Sequence, residues 1–371
     1  KDDAIKYNKL EFILENIENE FIDYTFSKRI NDSIEKSDIK VLYTPLHGTG
    51  KVPVVEILKR RKLKNFDIVK EQMIADSKFS TVKVPNPEEY ESYSLALKQA
   101  KNSNPDIILA TDPDCDRVGV MVKDNNEKYI NLTGNQIGIL LVDYILSTKE
   151  EINKNKVIIN TIVTSALGGE IAKDYGVESF STLTGFKYIG EKITEFDTTN
   201  NEFLFGYEES YGYLYGTEVR DKDAVIASML IVEMAAYYKN NRSSLIDKLE
   251  EIYKKYGYYS EGLVAFKYEG IEGIKKIENI MKTFRKKDIG KISIYNVKNK
   301  IDYLLDATFL RKANVIKYFL EDGSWVALRP SGTEPKIKIY FSIKGETEVD
   351  SKNKLDKIKK FLINIIKLSD V

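Results

Sequence analysis

Three aspartates at alternate positions, Asp112, Asp114 and Asp116, followed at once by Arg117, are the densest concentration of reactive groups in this sequence. They stand between two short apolar runs, Asp106-Ile-Ile-Leu-Ala110 and Val118 to Val122, so they occupy a tight loop between two strands. Carboxylates packed that closely repel one another unless a cation lies between them. An all-oxygen ligand set selects a hard ion, and Mg²⁺ is the expected one. Pro113 fixes one backbone angle and helps the alternate carboxylates converge. An EF-hand would need glycine at the sixth loop position and glutamate at the twelfth; Arg117 and Lys123 stand there instead. A phosphatase with an aspartate nucleophile, Asp112, also fits an Asp-x-Asp at a strand end, and so does a solvated acidic turn.

Three further loops carry polar groups among glycines. Thr44-Pro-Leu-His-Gly-Thr-Gly50 follows a short strand and precedes an apolar helix, and contains His47, the single histidine. Gly206-Tyr-Glu-Glu-Ser-Tyr-Gly212 offers carboxylates, a hydroxyl and aromatic faces, the groups that suit sugar hydroxyls. Arg329-Pro-Ser-Gly-Thr-Glu-Pro335 lies between two strands. Its arginine gives bidentate contacts, its hydroxyls donate, and its glycine lets backbone amides approach, which together make an oxyanion cradle. Each loop also has a plain reading as a polar turn.

The elements that must position these loops follow a strand–helix alternation. Residues 1 to about 37 read as helix, with Leu10, Ile13, Leu14, Ile17 and Phe21 on one face. Strands at Lys40–Tyr43, Phe66–Val69 and Asp106–Ala110 are separated by helices at Pro53–Leu63 and Glu88–Lys101. A second round runs from Gly134 to Tyr238, and Gly257 marks a domain change. Strands near Leu263, Ile292, Trp325 and Lys336–Ile343 then accompany helices at Ile271–Phe284 and Val349–Leu368. The expected fold class is α/β. Two consecutive βαβ-type domains with mixed, mostly parallel sheets sandwiched by helices precede a C-terminal α+β domain with an antiparallel sheet. The expected boundaries are 1–133, 134–256 and 257–371.

With 371 residues and zero formal net charge, the chain has room for several cores and no general affinity for nucleic acid. One cysteine, Cys115, excludes an internal disulfide and suits a reducing compartment, so the cytoplasm is expected. No apolar run is long enough to span a membrane.

Taken together, these four loops, in this order, and the stretch Leu183-Thr-Gly-Phe-Lys-Tyr-Ile-Gly190 resemble the α-D-phosphohexomutase family, which includes phosphoglucomutases and phosphomannomutases. The Gly-Tyr-Glu-Glu-Ser-Tyr-Gly form is closest to the phosphoglucomutase and phosphopentomutase branch. The resemblance implies that Asp112, Asp114 and Asp116 hold Mg²⁺ and that Arg117 lies beside the transferring phosphate. It implies that Glu208 and Ser210 take sugar hydroxyls, supported by Gly185 and Lys187. Arg329, Ser331, Gly332 and Thr333 would grip the phosphate that is not reacting, and His47 or Lys187 would move the hydroxyl proton. The implied reaction interconverts hexose 1-phosphate and hexose 6-phosphate, with glucose 1,6-bisphosphate as intermediate and activator. The family's phosphoserine sits in a Ser-His-Asn-Pro loop of a first domain, and no such tetrapeptide occurs here. The chain thus reads as domains two to four, partnered by hexose phosphates and by that first domain, and by itself inactive. A non-catalytic sugar-phosphate binder, and specificity for mannose or pentose phosphates, are the alternatives.

Overall fold

A computed structural model describes all residues except 1, 8, 10–14, 150–151, 287–288, 333 and 370–371. The chain forms two compact units, residues 1–156 with 202–248 and residues 157–201 with 249–371.

The first unit is built on a five-stranded mixed sheet. Its strands, in spatial order, are Asn65–Ile68, Lys40–Thr44, Ile107–Thr111, Val118–Lys123 and Tyr129–Asn131. The first three run parallel, and Val118–Lys123 is antiparallel to both of its neighbours. Ile107–Thr111 is buried throughout and Lys40–Thr44 at all but its first residue, as central strands covered on both faces must be. Leu42, Ile108 and Ala110 pack there with Tyr93, Ala96 and Met121. Helix Pro53–Arg60 opens on a proline, whose missing N–H costs nothing in a first turn. Helix Gly134–Thr148 starts from a capping box between Thr133 and Gln136. Helix Ala224–Asn240 is buried along nearly its whole length, which explains why its sequence is apolar all round.

The single N-terminal helix expected over residues 1–37 is instead divided into Asp2–Lys6, Glu15–Ser27 and Ser33–Lys36; Leu10, Ile13 and Leu14 lie outside the described residues. Between the last two helices, the backbone N–H of Ile30 donates to buried Glu233 (3.0 Å). Glu233 also takes Arg61 (2.8 Å) and the Tyr144 hydroxyl (2.9 Å). Satisfying this buried carboxylate uses the N–H of Ile30, and the helix stops short of it.

The second unit contains strand Lys156–Thr161 from its second residue onward, the strand Glu178–Thr182 parallel to it, and a six-stranded antiparallel sheet. The order there is Tyr258–Lys267, Lys336–Gly345, Trp325–Pro330, Ile316–Leu320, Tyr295–Asp302 and Lys291–Ile292. Helices Gly270–Lys286 and Glu348–Ser369 cover one face, burying Ile280, Phe284, Ile358 and Leu362 against Ile316, Val326 and Ile339. The closing basic helix is therefore a packed element with a solvated lysine face. Among the described residues, no helix is long and apolar enough to cross a membrane.

Candidate active site

In the first unit, one oxygen from each of Asp112, Asp114 and Asp116 lies within 4.8 Å of the others. The turn is held by its own backbone. Asp112 N–H donates to the carbonyl of Arg117 (3.2 Å), and Asp112 Oδ1 accepts from the N–H groups of Asp116 (3.1 Å) and Arg117 (3.0 Å). Cys115 takes a left-handed conformation (φ 60°), an unfavourable state for a residue with a Cβ, which the surrounding bonds enforce. Its thiol is pushed well above the ordinary range, first by burial and then by Asp223, so it is not a nucleophile.

Two neighbouring segments brace this turn. The first is the His47 loop: Thr49 N–H donates to the carbonyl of Pro113 (2.8 Å), and a Cβ on Gly48 would come within 2.5 Å of Pro113 Cα. Gly50 faces Tyr43 Oη, Cys115 Sγ and Thr111 Oγ1, all within 2.8 Å of where its Cβ would be, so only glycine fits. The second brace is the start of helix Ala224–Asn240, whose Ala224 N–H donates to the carbonyl of Cys115 (3.2 Å). Asp223 caps that helix through the N–H groups of Val225 (2.8 Å) and Ile226 (3.2 Å).

The glycine-rich loop with Glu208 and Ser210 adjoins the aspartates in the same unit. Arg117 forms an isolated antiparallel bridge with Gly212, and Val118 N–H donates to the carbonyl of Tyr211 (3.1 Å). Glu208 is buried and Ser210 half-buried. Arg117 stands over the turn: Nε lies 3.6 Å from Asp116 and 3.8 Å from Asp112, and Nη1 3.4 Å from Glu88. Lys222, which is not among the residues expected from the sequence, places Nζ 2.8 Å from Asp116 and its stem against Gly212. Burial pulls its amine down, but pairing with Asp116 outweighs that and leaves it raised.

The carboxylates fit Mg²⁺. Ligands at about 2.1 Å in an octahedron lie roughly 3 to 4.2 Å apart, so a small contraction from 4.8 Å closes the shell. Asp116 Oδ1 and Arg117 Nε are buried without a hydrogen bond and face each other at 3.6 Å, an ion pair too long to satisfy either atom's hydrogen-bonding capacity. Burial, reinforced by Asp116 and Asp114, raises Asp112 to about 7 although the Arg117 N–H acts in the opposite sense. That is the electrostatic signature of carboxylates gathered for a cation.

His47 is nearly buried, and both ring nitrogens are engaged: Nδ1 with the carbonyl of Ile74 and Nε2 with Thr81 Oγ1, each at 2.7 Å. The ring ties its loop to residues 74–81 and has no nitrogen left for a substrate.

The other expected residues belong to the second unit. Gly185 (φ 118°) caps helix Phe186–Phe196 in a conformation that needs glycine. Lys187 is exposed, with Nζ 5.0 Å from the Tyr188 ring centroid. Arg329 and Pro330 end one strand, in register with Lys338 and Ile337, and Ser331 N–H donates to the carbonyl of Lys336 (2.7 Å). Arg329 and Ser331 are half-buried and Gly332 exposed; Thr333 lies outside the described residues.

The chain matches three consecutive family domains. Residues 19–126 match "Phosphoglucomutase/phosphomannomutase, alpha/beta/alpha domain II", residues 133–256 domain III, and residues 263–364 the C-terminal domain of the same family. It is 39% identical over 323 residues to a phosphoglucomutase of Staphylococcus aureus, an overlap of 84% of this chain and 58% of that protein. Identity to the Staphylococcus haemolyticus phosphoglucomutase is 40% over 322 residues, with the same coverage. The chain thus spans less than two thirds of these relatives' own length. Parafusin, a phosphoglucomutase of Paramecium, shares the fold in its open form with a TM-score of 0.69 at 16% identity, over 94% of this chain and 62% of that one. A phosphoglucomutase/phosphomannomutase family protein of Burkholderia thailandensis gives 0.66 at 13% identity, over 95% and 64%. With three family domains matched in order over most of its length, the chain belongs to the phosphoglucomutase/phosphomannomutase family.

Proposed function

We propose that these 371 residues supply the metal, sugar and phosphate contacts of a phosphoglucomutase, and that its phosphoserine lies in a segment outside them. The observation that carries this reading is the pairing, within one unit, of three converging aspartates and Arg117 with the loop of buried Glu208. Mg²⁺ held by Asp112, Asp114 and Asp116 would supply charge stabilisation for a phosphoryl group in transfer. Arg117, beside Asp116, would donate to that group, and Lys222 would hold Asp116 in position. Glu208 and Ser210 would take sugar hydroxyls. Gly185 and Lys187 would support them, with Lys187 the remaining candidate to move the hydroxyl proton, since His47 is anchored at both nitrogens. In the second unit Arg329, Ser331, Gly332 and Thr333 would grip the phosphate that is not reacting, whichever end of the sugar carries it.

On this reading the chain comprises three domains, 1–133, 134–256 and 257–371, works on glucose phosphates with glucose 1,6-bisphosphate as intermediate, and acts in the cytoplasm. The test joins a phosphoserine-bearing first domain from a related phosphoglucomutase to these residues and assays conversion of glucose 1-phosphate to glucose 6-phosphate. The 371 residues alone are expected to show no turnover, and the joined protein to turn over in a Mg²⁺-dependent way. Turnover by the 371 residues alone, or release of inorganic phosphate as the main product, would refute the assignment.

A further inference from the structure

The second unit holds a buried cationic side chain that the proposed reaction does not use. Lys317 projects from strand Ile316–Leu320 on the same face as Phe319 two residues on; across the sheet Ala327 pairs with Lys317 and Trp325 with Phe319. Only 7% of Lys317 is exposed. Its Nζ donates to the carbonyl of Ile162 (2.6 Å) and lies 4.0 Å from the Trp325 ring centroid and 4.9 Å from that of Phe319. Among the described residues, no carboxylate pairs with it. An ammonium has three protons to donate, and this one has a single hydrogen-bond acceptor and an aromatic face. Burial pulls the amine down to about 7, the expected response of a cation with no anion beside it.

A second donor beside it is also unmet: Trp325 is 2% exposed, and its indole N–H has no partner. Lys317 and Trp325 both line a cavity of about 530 Å³. Its wall includes the hydroxyl side chains of Thr161, Thr164 and Ser179, and its charged lining is Lys173, Lys317, Glu170 and Glu178, which balance, so the pull on an anion comes from the two unmet donors and not from net charge. Uncompensated buried donors cost folding free energy, and a cavity that keeps them unpaired is explained by what it admits.

We propose that this cavity is a second anion site, distinct from the Arg329 loop, that takes a compact oxyanion of the phosphate class between the Lys317 ammonium and the Trp325 indole N–H. The volume accommodates either inorganic phosphate or the phosphate end of a small phosphomonoester. Binding would draw a proton onto Lys317 and fix the sheet against the Ile162 segment, so occupancy would stiffen the second unit without touching the aspartate turn.

The sequence provides its own reporter, because Trp325 is the only tryptophan. Its fluorescence would be followed during titration with inorganic phosphate, and separately with glucose 6-phosphate, at ionic strength held constant with chloride. A saturable change is expected in the unaltered protein and in Arg329→Gln, and its loss in Lys317→Met. The tighter of the two ligands identifies the source of the phosphate group. Should Lys317→Met fail to fold, acetylation of the unaltered protein by acetic anhydride decides. At ten times the dissociation constant, phosphate should slow modification of Lys317 about tenfold, with lysines outside the cavity unchanged. Absence of both the fluorescence change and the protection, or a response abolished by Arg329→Gln, would overturn the proposal.

Discussion

The aspartate turn and the Arg329–Pro335 loop are both short polar connections between antiparallel strands, yet they are built in opposite ways. The aspartate turn is tied by its own N–H groups, by Thr49 and by the start of a buried helix, and it keeps Cys115 in a left-handed conformation. The described residues of the Arg329 loop include the short-range backbone bonds Ser331 to Lys336 and Lys336 to Glu334, and their side chains are exposed or half-buried. The difference suits the ligands proposed for the two loops. Mg²⁺ demands near-octahedral oxygens at fixed distance, and carboxylates that repel each other must be locked into place before it arrives. A phosphate offers oxygens in several directions and can be gripped by a long arginine and a hydroxyl that settle around it.

The largest effect should come from removing charge in the built turn. Asp114 is the exposed member of the three, so Asp114→Asn tests ligation with little disturbance of folding. Mg²⁺ affinity measured by calorimetry should fall by at least about 100-fold, as loss of even an outer-shell partner costs 10- to 100-fold. The thermal midpoint of the metal-free protein should hold steady or rise, because one repelling charge is gone. Unchanged affinity would mean that the three carboxylates are not a cation site.

A smaller effect separates the two loops by stiffness. In Gly48→Ala the new methyl meets Pro113 backbone at 2.5 Å, and neither side can yield without shifting the aspartate turn. A cost of about 1–3 kcal/mol in denaturant unfolding is expected, with weaker Mg²⁺ binding. In Gly332→Ala the added methyl meets nothing within 4 Å, so stability should change by no more than about 0.5 kcal/mol. Equal costs at the two glycines would remove the contrast between a locked turn and an open one.

What could be read from the sequence divides along the same line. The aspartate triplet was legible because alternate spacing within a loop encodes its own convergence. The antiparallel C-terminal sheet and most helices were legible from apolar periodicity. Lys222 was not: in Arg220-Asp-Lys-Asp223 it looks like one charge among four, and only the approach of its chain segment to Asp116 and Gly212 singles it out. Strand Ile316–Leu320 escaped because Lys317 interrupts its apolar run, and a buried lysine contradicts the pattern by which strands are recognised. His47 drew attention as the only histidine, but the partners that occupy both its nitrogens lie 27 and 34 residues away. Burial by distant segments is what a linear reading cannot supply.

The smallest expected effect is a pH dependence present in one loop and absent from the other. Asp112 titrates near 7 in the metal-free protein, against 3.8 ordinarily, because burial and then the neighbouring aspartates penalise its charged form. A raised carboxylate pKa means that the folded, metal-free protein loses stability as pH climbs from about 4 to about 7, since the unfolded chain releases that proton more readily. Mg²⁺ requires the ionised carboxylate, so below about pH 7 it must displace a proton. Its apparent affinity should then drop about tenfold per pH unit, some 1.4 kcal/mol, and level off above neutrality. Calorimetry at pH 6 and pH 8 in two buffers of different ionisation heat would count the proton directly. Asp112→Asn should bind Mg²⁺ weakly at both values with no proton released, because its amide holds no titrating proton and still accepts the Asp116 and Arg117 N–H bonds. Inorganic phosphate binding at the Arg329 loop should show only the pH response of the phosphate itself, since its serine hydroxyl and backbone amides do not ionise in this range. A Mg²⁺ affinity that is flat from pH 6 to pH 8 would show that the turn does not hold Asp112 in the strained state the comparison requires.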